Sequence, residues 1–190
     1  MNQEFKDFFS KINCYNPDKN KKKQLDEVVS KIQKDLPITN NIVFLCTHNS
    51  RRSQLCQAWG RILSKTYNTD LKFYSAGTEK TEVHKNIIYC FSHVGIETEN
   101  NKILFRDIAI SLSSKVLDEI QSDKFISIMT CSDAEKSCPS DSRSIRNINM
   151  VYQDPKIFDN TWHEKEEYLK TSKLIAEELN YTIKNLVNPI

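Results

Sequence analysis

The chain opens with two amphipathic stretches. Phe5, Phe8, Phe9 and Ile12 fall at i, i+3, i+4 and i+7, and Leu25, Val28, Val29 and Ile32 show a similar spacing. That period is helical. Residues 1–38 therefore predict a helical hairpin, turned by the polar stretch "NPDKNKKK" with Pro17 and closed near Pro37. From residue 41 the pattern changes. "NIVFLC" (41–46) is a short apolar run and reads as a strand. Residues 53–67 read as a helix, with Leu55, Ala58, Trp59, Ile62 and Leu63 on one face. "LKFYSAG" (71–77) is a strand ending in a Gly turn, and residues 84–94 form a helix stopped by Gly95. "KFISIMTC" (124–131) and "INMVYQD" (148–154) are the third and fourth strands. A long helix over 161–186 carries Tyr168, Ile175, Leu179, Ile183 and Leu186 in register. Within 98–123, "KILFRDIAI" suits an extra strand pair or an irregular flap, and 113–121 a short helix.

Strands alternating with helices imply an α/β fold: a four-stranded parallel sheet with helices on both faces, preceded by the N-terminal helical hairpin. The expected division is an extension over 1–38 and a catalytic domain over 39–190. In such sheets the site lies beyond the carboxyl ends of the strands. Cys46, Ser75, Cys131 and Asp154 all fall at or near those ends.

Composition narrows the class. The 190 residues are 38% hydrophobic and 27% charged, with a formal net charge of +2. This is the balance of a soluble globular protein, and it points to no polyanionic partner. The basic run Lys19–Lys23 has no interleaved aromatics and reads as a solvated turn, not a nucleic-acid surface. The N-terminus lacks the apolar run of a signal peptide, and no stretch of about 20 apolar residues occurs. The expected location is the cytoplasm. There the six cysteines should act as thiols and not as a disulfide framework. With no CxxC and four scattered histidines, no metal site or bound cofactor is expected.

The chemistry centres on "CTHNSRRS" (46–53), between the first strand and the following helix. A loop in that place can turn its successive N–H groups inward, as a nest for an anion at the positive end of a helix. Thr47, His48, Asn49, Ser50, Arg51, Arg52 and Ser53 are the candidate oxyanion-binding residues. Arg52, at the end of the Cys-x5-Arg spacing, can fork onto two oxygens of a tetrahedral anion. The positive surroundings favour the thiolate of Cys46, and Ser53 is placed to donate a hydrogen bond to it. Asn49 tolerates the tight geometry. The bland alternative is a buried structural cysteine near a surface arginine. Two further features weigh against it. Asp154-Pro155 follows the fourth strand, where a carboxylic acid can protonate a leaving oxygen. "CSDAEKSCP" begins at the end of the third strand, where a mobile loop can bring Cys131 or Cys138 to Cys46 or to each other.

Taken together, "VFLCTHNSRRSQ", "YSAGT", "VH" with its helix, "MTCSDAEKSCP" and "YQDP" make the chain resemble one superfamily. It is that of the low-molecular-weight protein tyrosine phosphatases and thioredoxin-coupled arsenate reductases, over roughly residues 41–187. Gln54 and the "CSDAEKSCP" block resemble the reductase branch. Phosphatases tend to carry aromatics after Asp-Pro, where this chain has Lys156 and Ile157. Two positions depart from the family pattern: His48 stands where Gly is common, and Arg51 where Cys is common. The N-terminal hairpin is an addition to the family core.

The resemblance implies arsenate reduction. Cys46 attacks arsenate held by the loop and Arg52, and Asp154 is the general acid. Cys131 then attacks Cys46, Cys138 attacks Cys131, and thioredoxin reduces the resulting disulfide. One rival is a phosphatase that hydrolyses phosphomonoesters through a cysteinyl-phosphate on the same Cys46, Arg52 and Asp154. The other is a non-catalytic oxyanion sensor. Cys56 and Cys90 read as packing residues, Cys14 as exposed, and His93 and His163 as surface residues. His84 should open a helix or pack beside the loop, and Ser75 should steady the loop.

Overall fold

The computed structural model describes residues 2–131 and 141–187. The two amphipathic stretches are helices α1 (Gln3–Asn13) and α2 (Lys19–Asp35). Each starts on an N-cap side chain: Asn2 accepts from Phe5 N–H, and Asp18 accepts from the N–H groups of Asn20 and Lys21. Because Asp18 starts the helix, the basic run expected in the turn is instead the first turn of α2.

The chain then runs β1 (Asn41–Cys46), α3 (Arg52–Tyr67), β2 (Lys72–Gly77), α4 (Lys85–His93), β3 (Glu97–Glu99), β4 (Lys102–Phe105) and β5 (Ile108–Ser111). After a 3₁₀ turn at Leu117–Glu119 come β6 (Phe125–Met129) and β7 (Ser144–Asn149). A second 3₁₀ turn (Pro155–Phe158) leads into α5 (Glu164–Val187). The main sheet has the order β2-β1-β6-β7 and is parallel throughout. Strands β3, β4 and β5 form a small antiparallel sheet, so "KILFRDIAI" is a strand pair.

Alternate residues of the strands face two cores, as a pleated backbone requires. Ile42, Phe44, Phe73, Ile126, Ile128 and Ile148 enter the larger one with α3, α4, α5 and the hairpin. Val43, Leu45, Phe125 and Met129 enter a smaller one with Leu117, Ile120, Cys46 and Cys131. The hairpin is not a loose appendage. Phe5, Ile12, Leu25, Val28 and Ile32 belong to the larger core. Phe8 stacks on Trp59 at 5.2 Å, and Phe5 meets Phe105 edge-on at 5.1 Å. Asp35 of α2 also pairs with Arg146 of the edge strand β7.

Two expectations need correction. The fourth strand lies at 144–149, not 148–154. Its register against β6 pairs Ser144 with Phe125 and Asn149 with Met129. An edge strand half open to solvent carries polar residues ("SIRNIN"), so it gives no apolar run to read. The chain still follows β6 beyond the strand, with Met150 and Tyr152 N–H donating to Met129 O and Thr130 O at 2.9 and 3.1 Å. Residues 113–121 are not a helix beyond the 3₁₀ turn. Ser113, Ser114 and Lys115 run beside the 47–51 loop and hydrogen-bond to residues around it. Among the described residues, no helix is long and apolar enough to cross a membrane.

Candidate active site

Cys46 ends β1, and the loop 47–51 leads directly into α3. The loop's carbonyls are held from outside. Thr47 O accepts from Thr78 Oγ1 (3.1 Å) and Glu79 N–H (2.9 Å). His48 O accepts from Thr81 Oγ1 (2.8 Å) and Ser114 Oγ (3.1 Å), Asn49 O from Gln54 Nε2 (2.9 Å), and Ser50 O from His84 N–H (3.1 Å). In a trans peptide the N–H points opposite to the C=O, and no cis bond occurs among the described residues. Carbonyls fixed on the outside therefore turn the N–H groups of residues 48–51 toward the loop's interior. Successive inward N–H groups are the geometry that an anion nest requires.

Asn49 makes that path possible. It sits at φ 46°, in the left-handed region that asparagine tolerates. It is fully buried, and its Oδ1 accepts from Lys115 N–H (2.8 Å) and Gln54 Nε2 (2.9 Å). Its Nδ2 donates to Ser53 Oγ at 2.9 Å. With that lone pair of Ser53 occupied, the hydroxyl proton is free to point at Cys46 Sγ, 3.0 Å away. Such a donor stabilises a thiolate. Gly77, at the end of β2, allows the close approach of this loop. A Cβ there would lie 2.6 Å from Thr47 O and 2.8 Å from Asn49 N, both backbone atoms.

The two arginines divide their work. Arg52 donates to Tyr152 O (3.1 Å) and to Asp154 Oδ2 (2.5 Å). Fold and sequence thus bring the loop-end arginine and the Asp-Pro carboxylate together. Asp154 also caps the following 3₁₀ turn through Lys156 N–H at 3.0 Å. The Arg51 side chain turns away, donating to Tyr168 Oη and Asp159 Oδ2, each at 2.5 Å. Burial works against the Arg51 charge, but Tyr168 and Asp159 together carry its pKa above the ordinary value. Arg51 therefore ties the loop to α5, and only its backbone belongs to the anion nest. Ser50 Oγ likewise donates outward, to Glu82 O at 2.6 Å.

His84 both opens a helix and packs beside the loop. It caps α4, accepting on Nδ1 from Asn86 N–H, and stacks on Tyr168 at 4.8 Å. Burial and the nearby Arg51 charge lower its pKa. The ligand atoms of His84, Asp159 and Glu164 lie within 4.8 Å of one another. This trio does not suit a cation, however. Arg51 already supplies the positive charge at Asp159, Asn86 Nδ2 holds Glu164 Oε1 at 2.8 Å, and the occupied Nδ1 leaves the proton on Nε2.

Cys131, just beyond β6, is buried, and its Sγ lies 3.9 Å from Thr47 Oγ1. It shares the smaller core with Cys46. Cys138 lies outside the described residues. Cys56 and Cys90 are fully buried and Cys14 is exposed. Burial, reinforced by the charge of Cys46, pushes the Cys56 thiol well up, and burial pushes Cys90 up to about 12, so both suit packing better than catalysis. Ser75 does not reach the loop; its hydroxyl donates to Gln57 of α3 at 2.6 Å.

Comparison with known proteins places the chain in a family. No family model matches the chain. It is 32% identical to arsenate reductase 2 of Staphylococcus epidermidis over 117 residues, which cover 60% of this chain and 77% of the relative. It is 34% identical to arsenate reductase 2 of Staphylococcus saprophyticus over 115 residues, with 60% and 77% covered. The chain belongs to the arsenate reductase family. In fold, it resembles the arsenate reductase of Archaeoglobus fulgidus, with a TM-score of 0.53 and 19% identity over 75% of this chain and 98% of that one. A low-molecular-weight protein tyrosine phosphatase from T. tengcongensis gives 0.56 and 18%, with 77% and 99% covered. As a member of this family the chain is an enzyme of the superfamily read from its motifs. Sequence reasoning missed the Tyr168–Asp159–Arg51 link and the bracing by residues 113–115. Tyr168 carried only a helix-face signal, and the bracing serines belong to no motif.

Proposed function

We propose that this protein reduces arsenate to arsenite by thiol chemistry. The observation that carries the reading is Cys46 Sγ beside the Ser53 hydroxyl at 3.0 Å, at the start of a loop whose carbonyls from Thr47 to Ser50 are held outward. The loop amides and Arg52 bind the oxyanion. As the guanidinium turns to the anion, Asp154 loses its cationic partner and gains a negative neighbour. Asp154 is thereby released to serve as the general acid. Cys46 attacks arsenic, and a hydroxide leaves as water with the proton of Asp154. Cys131 then attacks Cys46 Sγ. The S–S bond forms, the electron pair of the As–S bond stays on arsenic, and arsenite departs. The thiolate of Cys138 attacks Cys131, which frees Cys46 and leaves a Cys131–Cys138 disulfide. The dithiol of thioredoxin reduces that disulfide. A relay that recycles through thiols belongs in a reducing compartment, the cytoplasm.

Phosphomonoester hydrolysis through a cysteinyl-phosphate is the second reading, since the fold is shared with a low-molecular-weight phosphatase. One preparation tests both. Arsenate reduction with thioredoxin is measured beside aryl-phosphate hydrolysis, and disulfides are mapped after a single arsenate turnover. Cys138→Ser is expected to stop after one round with Cys46 joined to Cys131. Cys131→Ser should fail before any disulfide forms within the chain. Neither should abolish hydrolysis. If wild-type protein keeps all its thiols after arsenate yet hydrolyses phosphoesters efficiently, the reductase reading gives way to the phosphatase one.

A further inference from the structure

Beside the loop lies a cleft of about 470 Å³ that the reduction of arsenate does not use. Its walls come from three places: His48 and Arg51 of the loop, His84 and Lys85 at the start of α4, and Lys156 two residues beyond Asp154. Lys85 and Lys156 are exposed, and neither has an ion-pair partner among the described residues. Glu82 is the acidic residue on the wall. The other carboxylates nearby are engaged: Asp154 with Arg52, Asp159 with Arg51, Glu164 with Asn86, and Glu79 with His48 at 3.5 Å. The cleft thus presents, among the described residues, two ammonium groups without ion-pair partners against one carboxylate, Glu82. It also lies close to the Asp154 carboxylate, whose Oδ1 accepts from Lys156 N–H at 3.0 Å.

We propose that this cleft is a subsite for a second anionic group, so that the enzyme takes phosphomonoesters whose leaving group itself carries a negative charge. The proposal rests on the loop being the oxyanion site. Free arsenate or phosphate has no leaving group to fill the cleft. Two lysines on its walls favour an anionic group over a neutral or apolar substituent.

The test compares 4-carboxyphenyl phosphate with its neutral isostere 4-carbamoylphenyl phosphate, with phenyl phosphate and with inorganic phosphate. Affinity is read from protection of Cys46 against iodoacetate, followed by peptide mapping, so that turnover is not needed. The carboxylate compound is expected to bind about fivefold more tightly than the carbamoyl compound at low salt, as befits two exposed ion pairs. That advantage should shrink at high ionic strength. Lys85→Met with Lys156→Met should remove it and leave protection by phenyl phosphate and inorganic phosphate intact. Lys156→Met keeps the backbone N–H that holds Asp154. Equal binding of the two aryl phosphates, or an advantage that survives the double substitution, overturns the subsite while the loop reading stands. If neither inorganic phosphate nor arsenate protects Cys46, the loop reading fails and the subsite falls with it.

Discussion

At the scale of single residues, two adjacent arginines do different jobs, and the direction each side chain takes decides which. Arg52 points to Asp154 and the oxyanion path, whereas Arg51 is spent on Tyr168 and Asp159. Arg52→Lys should therefore lower kcat/KM for arsenate by about a hundredfold or more, because an ammonium cannot reproduce the fork. Arg51→Lys should act mainly on thermal stability. Steady-state kinetics of both variants check the assignment, and the reverse pattern would mean the wrong arginine was chosen. His84 gives a pH prediction. Its neutral form is favoured in the fold, by burial and then by Arg51, against the opposing pull of Asp159 and Glu164. Between its folded pKa and the ordinary 6.5, the unfolded chain holds more protons, so stability falls as the pH drops below 6.5. His84→Gln, which keeps an acceptor for Asn86 N–H, should lose less stability over that window. Urea midpoints at a series of pH values measure the difference.

At the scale of elements, the anion loop is shaped by its neighbours as much as by its own sequence. Strand β2 brings Gly77 against the backbone of Thr47 and Asn49, and the 113–115 segment braces Asn49 and His48. Gly77→Ala puts a methyl group within 2.6 Å of Thr47 O, a backbone atom with no rotamer to escape into. The protein should still fold, but arsenate reduction should fall by at least about tenfold as the loop shifts. A crystal structure of the variant with activity unchanged and the loop unmoved would remove Gly77 from this role. The apolar runs of β1 and β6 were readable because both their faces are buried. Edge strand β7 was misplaced because solvent on one side permits polar residues there.

At the scale of the whole molecule, the N-terminal hairpin is part of one core with the sheet. Phe5 is 2% exposed and packs on Phe105. Phe5→Ala should cost about 3–5 kcal/mol, the usual range for a buried phenylalanine. Fluorescence and far-ultraviolet circular dichroism should report one coincident unfolding transition in both proteins. Separate transitions would show that the hairpin melts on its own. Cys46 and Cys131, the two thiols proposed to react, share the smaller core and follow neighbouring parallel strands, β1 and β6.

Local spacing by itself determined the alternation of strand and helix, the parallel sheet, the hairpin and the run from Cys46 through Arg52. Periods of about two and 3.6 residues, and the demands of an anion nest, are written in neighbouring positions. The places of Asp154 and Cys131 beside the loop were legible for the same reason, because each follows directly on a strand end or its continuation. Only the tertiary structure decided which arginine faces Asp154, that Asn49 relays the 113–115 segment to Ser53, that Gly77 must have no side chain, and that Lys85 and Lys156 share a cleft. Those facts join residues far apart in the chain. No local preference encodes them, since each depends on the direction in which a folded backbone aims a side chain.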